Sequence, residues 1–155
     1  MEIADLITPD AVVARLRTAN KKQLLQELAR RAADLVGLHE RQIFDVLLER
    51  ERLGSTGVGN GIAIPHGKLA GLKRLQGMFL RLNPPVDFDA VDEQPVDLVF
   101  LLLAPESAGA DHLKALARVS RFLRDRSVCE KLRGAEHPDA IYALLTEPQA
   151  SHHAA

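Results

Sequence analysis

Apolar residues recur at Leu24, Leu28, Ala32 and Leu35, spaced by four, four and three, which predicts an amphipathic helix. Asn20 is placed to cap it, Gln23 at the third helical position completes a variant of the capping box, and Gly37 marks the end. From about 40 to 52 a second helix sets Ile43, Val46 and Leu47 on one face, carries Arg50 and Glu51 near its C-terminal end, and stops at Gly54. Two runs then read as strands, Leu75–Leu82 and Val96–Leu103. The second is apolar at consecutive positions, as in a central strand covered on both faces. Asn83-Pro84-Pro85 between them predicts a turn. Asp111 is placed as the N-cap of a helix reaching about Arg124, with Leu113, Leu116, Ala117, Ser120 and Leu123 on its buried side. Shorter helices are predicted at about Ser127–Arg133 and Pro138–Leu145. The final EPQASHHAA reads as unstructured, which makes 148–155 an expected disordered tail. Helices before, between and after the strands give an α/β pattern, a single domain over 3–147 with its sheet sandwiched between helices.

Charge changes this picture in two ways. With 20 Lys and Arg against 21 Asp and Glu the net charge is −1, which argues against a dedicated nucleic-acid binder. The charges are nevertheless segregated: no Lys or Arg lies between Leu82 and Leu113, where Asp87, Asp89, Asp92, Glu93, Asp97, Glu106 and Asp111 fall, whereas 114–133 is strongly basic. Both stretches read first as solvated surface, and an acidic region beside a functional site would steer a basic partner toward it. The single cysteine, Cys129, forms no internal disulfide and reads as a small buried hydrophobe. The longest apolar stretch, Leu98–Ala104, is far short of the ~20 residues that span a bilayer. The N-terminus lacks the basic-then-apolar order of a signal peptide, so a cytoplasmic protein without membrane insertion is expected.

Residues 54–67 hold five of the ten glycines, a loop that needs unusual dihedrals or close backbone approach. It fails the phosphate-loop template because Gly67-Lys68 is followed by Leu69. It fails the dinucleotide fingerprint because Gly57, Gly59 and Gly61 follow a helix instead of a first strand. What remains is His66, framed by Pro65 and Gly67, so that its ring is held in one direction. A neutral imidazole carries a free lone pair near pH 7 and can attack phosphorus without a separate base. Donors for a phosphoryl group are expected from Ser55, Thr56, Gly59, Asn60, Gly61 and Gly67, and a cation from Arg50. His112 sits in the first turn of the helix starting at Asp111, where imidazolium is disfavoured and a neutral ring can donate one hydrogen bond to an anion. Lone histidines more often serve as surface or capping residues: His39 and His137 read as helix-start residues, and His152 and His153 fall in the tail. A metal hydrolase built on His66, His112 and Asp111 would call for a ligand spacing such as HExxH, which is missing, so no metal is expected.

The run LLERERLGSTGVGNGIAIPHGKL, 47–69, closely resembles the phosphorylation-site signature of enzyme IIA proteins of the bacterial phosphoenolpyruvate-dependent phosphotransferase system, in the fructose/mannitol and nitrogen-related branch. QPVDLVFLLLAPESAGADHLKALARVSRFLRDRSVCEKLR, 94–133, matches the downstream half of that domain. The resemblance implies a mixed sheet flanked by helices on both sides. It also implies that His66 is phosphorylated on Nε2 by a phosphohistidine of an HPr-like carrier, with His112 as stabiliser and Arg50 as a site arginine. No cofactor is implied, since donor and acceptor are both protein histidines. GSTGVGNGIAIPHGKL is similar to the nitrogen-related form, which resembles a switch whose two phosphorylation states bind different targets, such as transporters or kinases. The alternative is a sugar-specific enzyme IIA that hands the group to an enzyme IIB domain.

Overall fold

The computed structural model of the protein describes residues 1–147; the expected tail 148–155, with His152 and His153, lies outside the described residues. Two single-turn 3₁₀ segments lead into strand β1, Val12–Leu16. Then come α1 (Lys21–Val36), α2 (Glu40–Arg52), three short strands β2 (Gly57–Gly59), β3 (Ile62–Ala63) and β4 (His66–Leu69), and two long ones, β5 (Gln76–Val86) and β6 (Val96–Pro105). Helices α3 (Ala110–Arg124), α4 (Arg126–Gly134) and α5 (Pro138–Thr146) complete the chain.

Helix ends follow the side chains that satisfy them. Asn20 Oδ1 accepts from the Gln23 amide at 2.9 Å, and Gly37 closes α1 in the left-handed region at φ 71°. Asp125 caps α4 by accepting from the amides of Ser127 and Val128. His39 and His137 occupy the N-cap positions of α2 and α5 without a side-chain capping bond.

The sheet is mixed, in the order β1-β5-β6-β3-β2. β5 and β6 pair antiparallel at its centre, β1 lies parallel to β5, and β3 and β4 both run parallel to β6. Met78–Leu82 and Leu98–Pro105 are buried at consecutive positions, so side chains of both parities meet apolar neighbours and both faces of the sheet are covered. The core runs from the first turn through β5 and β6 into α1, α3 and α5, and Cys129 belongs to it. Burial raises that thiol's pKa, and its Sγ–H donates to the Leu123 carbonyl.

Four sequence expectations are corrected. Strand β1 was not foreseen, being five residues long with Arg15 inside it. Asn83-Pro84-Pro85 is not a turn: β5 continues to Val86, which pairs with Val96 after a register shift, and the Asn83–Pro84 peptide is cis. Residues 83–85 are exposed, so the prolines fall where the ladder asks for no N–H. Asp111 is not the N-cap of α3, a position held by Gly109; it lies in the first turn. The buried face of α3 is His112, Ala115, Val119, Phe122 and Leu123, one residue round from the predicted stripe, and Leu113 is 66 % exposed. Both stripes obey the helical period, and burial of Phe122 selects the one that turns His112 inward.

Candidate functional site

The glycine-rich segment folds largely as strand. β3 and β4 lie end to end along β6, with β2 pairing outside β3: Ile62 and Ala63 pair with Leu98 and Val99, and His66 to Leu69 pair with Leu102 to Pro105. Ile64-Pro65 interrupts them. The Ile64 amide turns aside to the Thr56 carbonyl at 3.0 Å, and the Pro65 carbonyl accepts from Leu102 N at 3.0 Å. The Ile64 carbonyl then faces His66, whose Nδ1 lies 2.8 Å away.

Arg50, on the last turn of α2, places Nε 3.3 Å from His66 Nε2 and anchors its own Nη1 on the Gly54 carbonyl at 2.8 Å. These partners act in one direction only. A carbonyl accepts, so Nδ1 carries the proton; a guanidinium donates, so Nε2 holds the lone pair. The tautomer is therefore dictated by its neighbours. His66 is half-buried, and burial lowers its pKa; the Arg50 charge lowers it further, against the opposing Ile64 carbonyl and Glu51 carboxylate.

His112 comes from the first turn of α3, with its ring centroid 5.7 Å from that of His66 and the planes inclined at 50°. It is 8 % exposed, and its Nδ1 has no hydrogen-bond partner among the described residues. Burial again lowers the pKa, followed by repulsion from His66 and Lys68. Two neutral imidazoles thus face an open cavity of about 660 Å³, lined by Val46, Leu53, Gly67 and Lys68 as well as Arg50 and the two rings. Asp45 and Glu49 reach it from α2. Gly67 has no room for a side chain, because a Cβ there would overlap Val46 Cγ1.

Arg50, His66, Gly67 and His112 are brought together. Ser55, Thr56, Gly59, Asn60 and Gly61 do not line this cavity. Ser55 Oγ donates to the Phe88 carbonyl at 2.9 Å, and the Thr56 amide and hydroxyl both donate to buried Glu51, which also pairs with Lys21 at 3.0 Å. The Asn60 amide donates to Asp92, and the Asn60 carbonyl and Gly61 lie against Arg133. No residue of the acidic 87–97 stretch lines the cavity; that stretch bonds instead to the glycine segment, through Ser55–Phe88, Asn60–Asp92 and the Val91 and Asp97 amides. Sequence reasoning missed Lys68, Asp45, Glu49 and Leu53 as lining residues. Asp45 and Glu49, four apart on the helix that delivers Arg50, were the readable signal. It also missed Ile64 as the acceptor that fixes the tautomer, which is a backbone role.

A family model described as "Phosphoenolpyruvate-dependent sugar phosphotransferase system, EIIA 2" matches residues 5–147. A "Nitrogen regulatory protein" of Bradyrhizobium diazoefficiens is 57 % identical over 97 % of this chain and 99 % of its own. One from Escherichia coli K12 is 37 % identical over 97 % and 93 %. Among solved structures, "Nitrogen Regulatory Protein IIA-Ntr" from Neisseria meningitidis superposes with a TM-score of 0.88 at 37 % identity, covering 93 % of this chain and 99 % of that one.

Proposed function

The chain belongs to the EIIA 2 family of the phosphoenolpyruvate-dependent sugar phosphotransferase system, and from that premise we propose that it is a cytoplasmic phosphocarrier that accepts a phosphoryl group on His66. In this reading the donor is a phosphohistidine of an HPr-like protein, and the phosphorylation state of His66 regulates target proteins of nitrogen-related metabolism. The observation that carries it is the Nε2 lone pair of His66, fixed by one-way partners and held neutral by burial.

The transfer balances without a third reactant. Nε2 forms a bond to phosphorus as the donor's nitrogen–phosphorus bond breaks, and that electron pair returns to the donor ring. Nδ1 keeps its proton throughout, so positive charge develops on the ring, where the Ile64 carbonyl at 2.8 Å stabilises it. The Arg50 guanidinium, at Nε2 before transfer, is placed to move onto the phosphoryl oxygens, which carry about two negative charges. His112, whose ring lies 5.7 Å from that of His66 and lines the same cavity, supplies a neutral donor.

Incubation with phosphoenolpyruvate, enzyme I and the HPr-like carrier should attach one acid-labile, alkali-stable phosphate, and His66→Ala should take up none. Equal labelling of His66→Ala would overturn the assignment. The sugar-specific alternative makes a separate prediction, fast onward transfer to an enzyme IIB domain. The regulator is favoured by the names of the relatives that match nearly the whole chain.

A further inference from the structure

At the opposite end of the sheet from His66 lies a second cavity, of about 340 Å³, lined by Arg15, Arg81, Asn83, Asp97, Arg133 and Glu136 among others. Arg81 pairs with Leu98 on β6, whereas His66 pairs with Leu102. Four residues at ~3.3 Å each put the two sites more than 10 Å apart.

Arg81 is 8 % exposed, yet no carboxylate stands within ion-pairing distance of it among the described residues. Its Nε donates to the Ala14 carbonyl at 2.9 Å and its Nη1 to the Arg133 carbonyl at 2.6 Å, while Nη2 makes no hydrogen bond among the described residues. The Arg133 carbonyl sits at the C-terminal end of α4 and brings roughly half a negative charge, less than a full countercharge. Asp97 is spent elsewhere: both its oxygens are held by Arg133 at 2.8 Å. Arg15, on the exposed side of β1, adds a second cation with no acid partner among the described residues, and the exposed Asn83 lies across the opening. A buried cation without an anion is costly, and guanidinium nitrogens facing polar space are matched to oxyanions.

We propose that this cavity binds a small phosphorylated metabolite, its phosphate held by Arg81 Nη2 and Arg15, with Asn83 at the rim. Two cations without an acid partner among the described residues, Arg15 and Arg81, outweigh the exposed carboxylate of Glu136 in the lining and favour a dianionic phosphate over a single carboxylate. The volume leaves room for a small group beyond the phosphate and excludes a macromolecule.

The probe is inorganic phosphate, followed by amide chemical shifts and calorimetry of the full chain. One equivalent should bind saturably, moving the amides of Arg15, Arg81, Asn83 and Gly134. Arg15→Glu, an exposed change that leaves the core untouched, should weaken binding by ~10-fold or more. Arg81→Met should abolish it in a chain whose circular dichroism shows it folded. Succinate should bind more weakly than phosphate. Shifts confined to Gly67 and His112, binding unchanged in Arg15→Glu, a succinate response equal to that of phosphate, or no saturable binding would each overturn the proposal.

Discussion

Strand β6 carries a charged site at each end, and the two ends handle charge in opposite ways. Near its start, Asp97 and Arg133 form a two-pronged pair at 2.8 Å that also binds the Asn60 carbonyl and so ties α4 to the sheet. Near its finish, the strand supports β4 and His66, where burial lowers the pKa of two imidazoles and Nδ1 of His112 has no hydrogen-bond partner among the described residues. At the first end the Asp97–Arg133 pair is satisfied within the fold. The second leaves the Nε2 lone pair of His66 beside an open cavity, an arrangement that suits the proposed acceptor role.

That contrast predicts a double dissociation. The largest effect belongs to Arg50→Met, which removes the guanidinium donor at Nε2: phosphoryl acceptance should fall by ~100-fold in quenched transfer assays. The same variant should raise the His66 pKa, seen by NMR titration, because the Arg50 charge helps to depress it. An unchanged rate with a raised pKa would separate the electrostatic role of Arg50 from its role in transfer.

Next in size is Gly67→Ala, which forces Val46 away and should lower stability by about 1–3 kcal/mol in denaturant titrations while also slowing transfer. At the other end, Asp97→Asn should cost about 1 kcal/mol, since both partners are partly exposed, and leave phosphorylation of His66 at its wild-type rate. A matching loss of rate would show the two ends coupled through β6.

The smallest effect is on the pH profile of stability. Both histidines have folded pKa values below the ordinary one near 6.5, so the unfolded chain takes up protons first as pH falls. Their contribution is fully present above about pH 6.5, declines as pH drops through that value, and levels off below the folded pKa values, with a slope of at most about 1.4 kcal/mol per pH unit per histidine. His112→Gln should flatten the decline. A profile steeper than wild type would contradict the buried, neutral state of His112.

Much of this was written in local chemistry. The Asn20 cap, the Gly37 stop and the consecutive apolar run of β6 gave α1 and the central strand, because capping, left-handed backbone and two-sided burial each leave a mark on a few neighbouring residues. Pro65-His66-Gly67 singled out the proposed nucleophile for the same reason, and the signature around it indicated the family that the relatives then identified. Tertiary structure alone decided the rest. Which stripe of α3 faces inward depended on where Phe122 found its neighbours, and that choice carried His112 to within 5.7 Å of His66. The glycine segment was legible as irregular, but only pairing with β6 and between β2 and β3 built it into the sheet, turned the donors of Ser55, Thr56 and Asn60 to other partners, and freed the Ile64 carbonyl to hold Nδ1. Sequence fixes which groups exist and which local conformations are cheap. Contacts between residues dozens of positions apart fix which lone pair points outward, because they depend on the packing of the whole sheet.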